Sequence, residues 1–250
     1  MVHLIIIAGS LNEYYKLVES DTVKPYKMVG IAGGVIIYGV SVSVASGSIP
    51  ASGYLLLIPV IGCIMISELY RNGSVPFNSI MHTIGGLVYI ALPWSMAPFS
   101  ALNHDSFGTL LPNNLAGFSP APMLAFFLLL WANDTGAYLA GITMGKHKLF
   151  KRVSPKKSWE GFFGGVVATL AVAWAISGWI DITGITGWMI IAVLISVGGT
   201  FGDLVESMLK RSAGAKDSGS IFPGHGGFLD RFDSVLFAWP LMYLFITFFG

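Results

Sequence analysis

Seven apolar stretches in this chain each approach the ~20 residues needed to cross the hydrocarbon core of a bilayer, which commits the backbone to membrane-spanning helices. They are "MVGIAGGVIIYGVSVSVA" (28–45), "ASGYLLLIPVIGCIMISELY" (51–70), the run from Phe77 to Ala97, and segments near 122–141, 161–180, 188–206 and 232–250. Composition agrees: 54% of the 250 residues are hydrophobic and 11% are charged, against about 25% charged in soluble domains. A shorter run, "VHLIIIAGSL", precedes the first span and is too short to cross alone. It reads as an interfacial helix or the tail of a further span. No cationic segment precedes it and no clear small-residue cleavage site follows, as a secretory signal peptide would require. The expected fold class is all-α, a polytopic integral membrane protein with a single helical domain over 1–250. No internal repeat or low-complexity tract interrupts it. The one cysteine, Cys63, lies within a span, so no intramolecular disulfide can form.

Net charge is only +1, but its distribution is informative. Placing seven spans sorts the connections into two sets. Residues 11–27, 71–76, 142–160 and 207–231 hold all 14 lysines and arginines, and residues 46–50, 98–121 and 181–187 hold none. Positive residues accumulate on the cytoplasmic side, so the first set is expected to face the cytoplasm. An error of one in the span count would scramble this segregation.

Ionisable groups inside spans cost roughly 2.5–3.5 kcal/mol near a helix centre and point to function. Asp134, in "LLLWANDTGAYLAG", falls about 20 Å along its span at 1.5 Å per residue, toward the cytoplasmic side. Asp203, in "SVGGTFGDLVES", lies at similar depth. Asp230 and Asp233 open the last span, and their i,i+3 spacing puts them on one helical face. Four carboxylates on three spans thus fall near one level. Hard oxygen ligands of this kind suit Mg²⁺, which keeps water and substrate phosphate in its shell. The plainer alternative for Asp230 and Asp233 is a capping or surface role beside Arg231.

The basic residues divide similarly. Lys146, Lys148, Lys151 and Arg152 read as topology determinants at anionic headgroups. In "SPKKSWEG" (154–161), Lys156 and Lys157 sit between a Ser-Pro turn and a span, where phosphate contact is an open alternative; Trp159 fits the interfacial aromatic belt. "PGHGG" (223–227) supplies backbone that an anion can approach closely. His225, flanked by glycines in a charged loop, is a candidate phosphate donor or acid–base group. No P-loop pattern occurs. An ion-coupled transporter would explain Asp134 and Asp203 but not the dense lysine–glycine–histidine loop. The D-G-x-x-A-R arrangement of alcohol phosphotransferases is absent.

Residues 207–233, "SMLKRSAGAKDSGSIFPGHGGFLDRFD", resemble the signature of CDP-diacylglycerol synthases, the phosphatidate cytidylyltransferases. The pattern runs S-x-L-K-R, four residues, K-D, a spacer, P-G-H-G-G and x-x-D-R-x-D, and no position departs from it. "NDTGAYLAG", "SPKKSWEG" and "GDLVES" are similar to family segments in the same order, so the resemblance covers 133–233. Family members usually carry further hydrophobic helix before the equivalent of "LNEYYKLVES". The sequence therefore reads as beginning within that region, either at an internal methionine or after trimming.

The resemblance implies transfer of CMP from CTP to phosphatidate, giving CDP-diacylglycerol and pyrophosphate. It implies Mg²⁺, with a second cation as an open alternative, held by Asp203 and Asp230 in the lead and by Asp233 and Asp134 as further candidates. Lys210, Arg211, Lys216 and Arg231 are expected at phosphates, with Asp217 and His225 orienting phosphate or metal-bound water. Lys156, Lys157, Ser158, Gly226 and Gly227 are expected to bind the nucleotide. The implied partners are CTP, phosphatidate, membrane lipids and a second copy in a homodimer, with no nucleic acid. The implied location is a bacterial-type inner (plasma) membrane, with the site facing the cytoplasm.

Overall fold

The computed structural model describes residues 1–71, 75–102, 119–180, 183–221, 224 and 226–249. In chain order these form α1 (Val2–Val18), α2 (Lys27–Ala45), a 3₁₀ turn (Ala51–Leu56) leading into α3 (Leu57–Leu69), and α4 (Pro76–Gly86). A π turn (Leu87–Ala91) joins α4 to α5 (Leu92–Ser95), followed by α6 (Ala97–Leu102). Then come α7 (Ala121–Met144), β1 (Lys148–Phe150), β2 (Ser154–Ser158), α8 (Trp159–Ser177), α9 (Gly184–Ser212) and α10 (Leu229–Phe249).

Seven of the described helical segments are long and apolar enough to cross a membrane: Lys27–Ala45, Ala51–Leu69, Pro76–Leu102, Ala121–Met144, Trp159–Ser177, Gly184–Ser212 and Leu229–Phe249. They coincide with the seven stretches expected from hydropathy. Large apolar side chains stand outward from them, among them Trp131 and Val167, with Trp174 67% exposed. Such surfaces are tolerated where hydrocarbon replaces water, and backbone polar groups are satisfied within each helix. The protein is an all-α, polytopic integral membrane protein.

Local departures have local causes. Pro93 has no N–H to return to the preceding turn, and the helix widens into its π turn at that place. α1 extends beyond the apolar run anticipated for it, through "LNEYYKLV" to Val18. The basic connection before α8, read from the sequence as carrying a Ser-Pro turn, contains an antiparallel hairpin pairing Lys148 with Ser158 and Phe150 with Ser154. Glu160 gathers its base: the carboxylate accepts from the Lys146 and His147 N–H groups at 3.1 and 3.2 Å and meets His147 Nδ1 at 2.6 Å.

The helices gather into two compact units, Met1–Met96 with Leu209–Phe232, and Ala97–Met208 with Asp233–Gly250. In the first, α1 buries a stripe of Ile7, Leu11 and Tyr15, spaced four apart and so aligned on one face. Tyr15 then donates its hydroxyl to the Thr83 carbonyl at 2.8 Å. In the second, α7 and α8 form a tight helical pair through small residues. A Cβ on Gly136 would lie 2.7 Å from the Gly164 carbonyl oxygen, and one on Gly161 would lie 2.9 Å from that of Ala137. Small residues let membrane helices approach this closely, where van der Waals packing is the main attraction available. Gly164→Leu is therefore expected to destabilise the protein by about 1–3 kcal/mol through overpacking. Gly62→Leu, at a glycine with open space around it, should leave stability unchanged. Thermal unfolding in detergent checks both, and equal melting of the two variants would refute the close α7–α8 contact.

Candidate active site

In the second unit the acidic residues meet because two backbones touch. Gly198 and Gly202 share one face of α9. A Cβ on Gly198 would lie 2.7 Å from Ala238 Cα, and one on Gly202 would lie 2.6 Å from the Asp233 carbonyl oxygen. That approach sets Asp203, adjacent to Gly202, and Glu206, one turn further, against Asp233 at the start of this unit's portion of α10. Carboxylate oxygens of Asp203, Glu206 and Asp233 all lie within 4.8 Å of one another. Glu206 is fully buried at 0% exposure, while Asp203 and Asp233 are half-buried.

Lys157 joins this group from the end of β2. Its Nζ lies 2.7 Å from Asp203 Oδ2 and 3.4 Å from the Thr200 carbonyl oxygen. Ser207 Oγ donates to Asp203 Oδ1 at 3.1 Å. Beside them opens a pocket of about 390 Å³ lined by Asn133, Asp134, Lys156, Lys157, Ser158 and Asp203. Its remaining wall includes Tyr138, Ile142 and Phe162, of which Tyr138 and Ile142 are exposed on the outer surface of α7. One cavity is thus lined both by charged groups and by side chains exposed on the surface of α7. Ser158 is buried as the N-cap of α8, accepting from Gly161 N at 3.1 Å. Asn133 Nδ2 reaches Asp134 Oδ1 at 3.5 Å.

The three clustered carboxylates offer hard oxygen donors only, the chemistry that a divalent Mg²⁺-like ion requires. Their spacing allows one ion to be held by all three. The donor set therefore fits the cation implied by the signature.

The signature loop belongs to the first unit, where a second acidic arrangement orders it. Lys210 Nζ lies 2.6 Å from Asp230 Oδ1, with side-chain exposures of 12% and 9%. Asp230 Oδ2 accepts from Ser218 N at 2.9 Å, Ser218 Oγ at 2.8 Å and Gly227 N at 2.8 Å. Gly226 adopts φ +78°, and a Cβ there would lie 2.5 Å from the same Oδ2. At Gly226 the Asp230 carboxylate approaches the backbone closely, and at Gly227 a Cβ would meet the Glu13 carboxylate. Arg211 donates to the Ala215 carbonyl at 3.1 Å, closing the turn after α9. Lys216, Asp217 and Arg231 are exposed. His225 lies outside the described residues.

The sequence-expected residues therefore fall into two groups. Asp134, Lys156, Lys157, Ser158 and Asp203 line one pocket, and Asp233 joins Asp203 in the carboxylate cluster. Asp230, Lys210, Gly226 and Gly227 are tied together in the other unit. Two acids went unnoticed. Glu206 was legible in principle, since it sits three residues after Asp203 on the same helical face. Glu13, which contacts the signature loop, gave no local signal.

The model of the Cytidylyltransferase family matches residues 1–249. Over 121 residues the chain is 48% identical to a phosphatidate cytidylyltransferase of Staphylococcus epidermidis, covering 48% of this chain and 46% of that protein. Proteins of the same name from Staphylococcus saprophyticus and Staphylococcus aureus are each 50% identical over 122 residues, again 48% of this chain and 46% of the relative. The chain spans about half the length of the curated relatives it matches. A family match over nearly the whole chain makes the protein a member of the cytidylyltransferase family.

Proposed function

We propose that this protein transfers CMP from CTP to phosphatidate, releasing pyrophosphate and forming CDP-diacylglycerol at the cytoplasmic face of a bacterial inner membrane. The observation that carries the reading is the 390 Å³ pocket, whose wall pairs Lys156, Lys157, Asp134 and Asp203 with the outward-facing apolar side chains Tyr138 and Ile142. A soluble nucleotide and a lipid headgroup are the two kinds of reactant that such a boundary accommodates. The name shared by the staphylococcal relatives supports the same choice.

The lipid phosphate oxygen is itself the nucleophile. It forms a bond to the α-phosphorus of CTP while the bond from that phosphorus to the bridging β-phosphate oxygen breaks, and pyrophosphate departs with the electron pair. No covalent protein intermediate is needed. The protein's work is to position two polyanions and offset their repulsion. Lys156 and Lys157 attract phosphate into the pocket, and Asp134 faces the same space to orient what enters. Asp203, Glu206 and Asp233 would hold a divalent cation, for which we propose Mg²⁺. When bound, it supplies charge neutralisation on the triphosphate and the leaving pyrophosphate. We assign Lys210, Arg211, Lys216 and Arg231 to substrate phosphates on the strength of the motif, with Asp217 and His225 as orienting groups. Asp230, already serving Lys210 and three loop donors, we assign to loop organisation. A homodimer is the proposed assembly.

Labelled CTP and phosphatidate in detergent are expected to yield labelled lipid, with ATP, GTP and UTP inactive and excess chelator abolishing the product. Absence of lipid product would refute the reading. Lys156→Ala combined with Lys157→Ala should raise the apparent KM for CTP by about tenfold or more, the scale of lost charge-assisted hydrogen bonds; an unchanged KM would remove both from the nucleotide site. Glu206→Gln should weaken Mn²⁺ binding, followed by electron paramagnetic resonance, by about tenfold or more. Undiminished affinity would exclude Glu206 from the cation's ligands.

A further inference from the structure

The loop after α9 is fastened by a helix 215 positions earlier in the chain. The carboxylate of Glu13, on α1, is only 3% exposed. Its Oε1 accepts from Phe228 N at 3.0 Å, and its Oε2 accepts from Leu229 N at 2.9 Å and Ser218 Oγ at 3.1 Å. Leu229 opens α10 and Phe228 immediately precedes it, so an anion here meets N–H groups at the helix start and the positive end of the helix dipole.

Three glycines shape the contact. A Cβ on Gly219 would lie 2.5 Å from Glu13 Oε1, and one on Gly227 would collide with the same carboxylate. Gly9, one turn before Glu13, leaves room for the Phe228 ring. Ser218 then links this acid to the other, since its hydroxyl lies 3.1 Å from Glu13 and 2.8 Å from Asp230. Glu13 grips the loop at Ser218 and at the start of α10, while Asp230 grips it at Ser218 and Gly227. Ser218 and Gly227–Leu229 are thus held by two buried carboxylates, one of them from α1.

We infer that Glu13 is a positioning residue for the signature loop, fixing the conformation in which the loop's cations are offered to the nucleotide's phosphates. This rests on the cytidylyltransferase reading for its consequence, but not for the clamp itself. Both oxygens of the Glu13 carboxylate are engaged by Ser218, Phe228 and Leu229. A carboxylate accepts from several donors at once, whereas the amide of Glu13→Gln would set its own N–H₂ against backbone N–H groups.

The test uses the full chain purified in detergent. In Glu13→Gln, hydrogen exchange at Ser218 and Gly227–Leu229 should accelerate about tenfold or more, as expected when local opening becomes easier, while α7 and α8 exchange as before. The KM for CTP should rise about tenfold, the KM for phosphatidate staying unchanged, as a loss of nucleotide positioning rather than of global stability predicts. Gly219→Ala, which presses a methyl group against the same carboxylate, should loosen the same amides and keeps the test open if Glu13→Gln does not fold. Wild-type exchange in the loop would overturn the clamp. Faster exchange with an unaltered KM for CTP would overturn the positioning role. If the wild-type protein transferred no CMP at all, the proposed activity would fall, while the exchange measurement would still decide whether Glu13 holds the loop.

Discussion

A carboxylate beside hydrocarbon must be matched by a cation or by oriented N–H donors, because no water is at hand to solvate it. Both solutions occur in this protein, each within one compact unit. In the second unit, Lys157 meets Asp203 beside a cluster completed by Glu206 and Asp233. In the first, Lys210 meets Asp230, and Glu13 is received by the N-terminus of α10. These acids order the loop in one unit and offer a place for a cation in the other.

Glycine makes the arrangement possible. Lipid tails are as apolar as leucine, so membrane helices gain little from burying leucine against leucine and more from close van der Waals contact. At Gly202 the closeness has a chemical result, since backbone contact with Asp233 draws three carboxylates within reach of one ion. α9 is 29 residues long, about 43 Å at 1.5 Å per residue, and so exceeds the ~30 Å hydrocarbon core. The surplus carries Lys210 and Arg211 at its C-terminal end, where cations also complement the helix dipole.

Much of this was legible in the chain. The seven spans were readable because hydropathy accumulates along a contiguous segment, and Asp134, Asp203, Lys156 and Lys157 were suspect because charge inside or beside a span is costly. The hairpin at 148–158 was not legible, since its strands are only three and five residues long and its base is drawn together by Glu160 from the following helix. Within "PGHGG" the Asp230 carboxylate stands against Gly226 and that of Glu13 against Gly227, internal contacts that no glycine pattern encodes.

The sequence by itself determined that the chain is a bundle of membrane-crossing helices, that its cations lie on one set of connections, and that it carries a cytidylyltransferase signature. Each of these is a property of neighbours along the chain. Only the tertiary structure decided which acids become partners. Asp233 joins Asp203 and Glu206, whereas Asp230, three residues earlier on the same helix, is given to Lys210 and the loop. Partnership depends on how closely each helix approaches its neighbour and how it is rotated there. At Gly202 that approach is a backbone contact with α10, while Gly219 and Gly227 leave room for the Glu13 carboxylate from the far end of the chain.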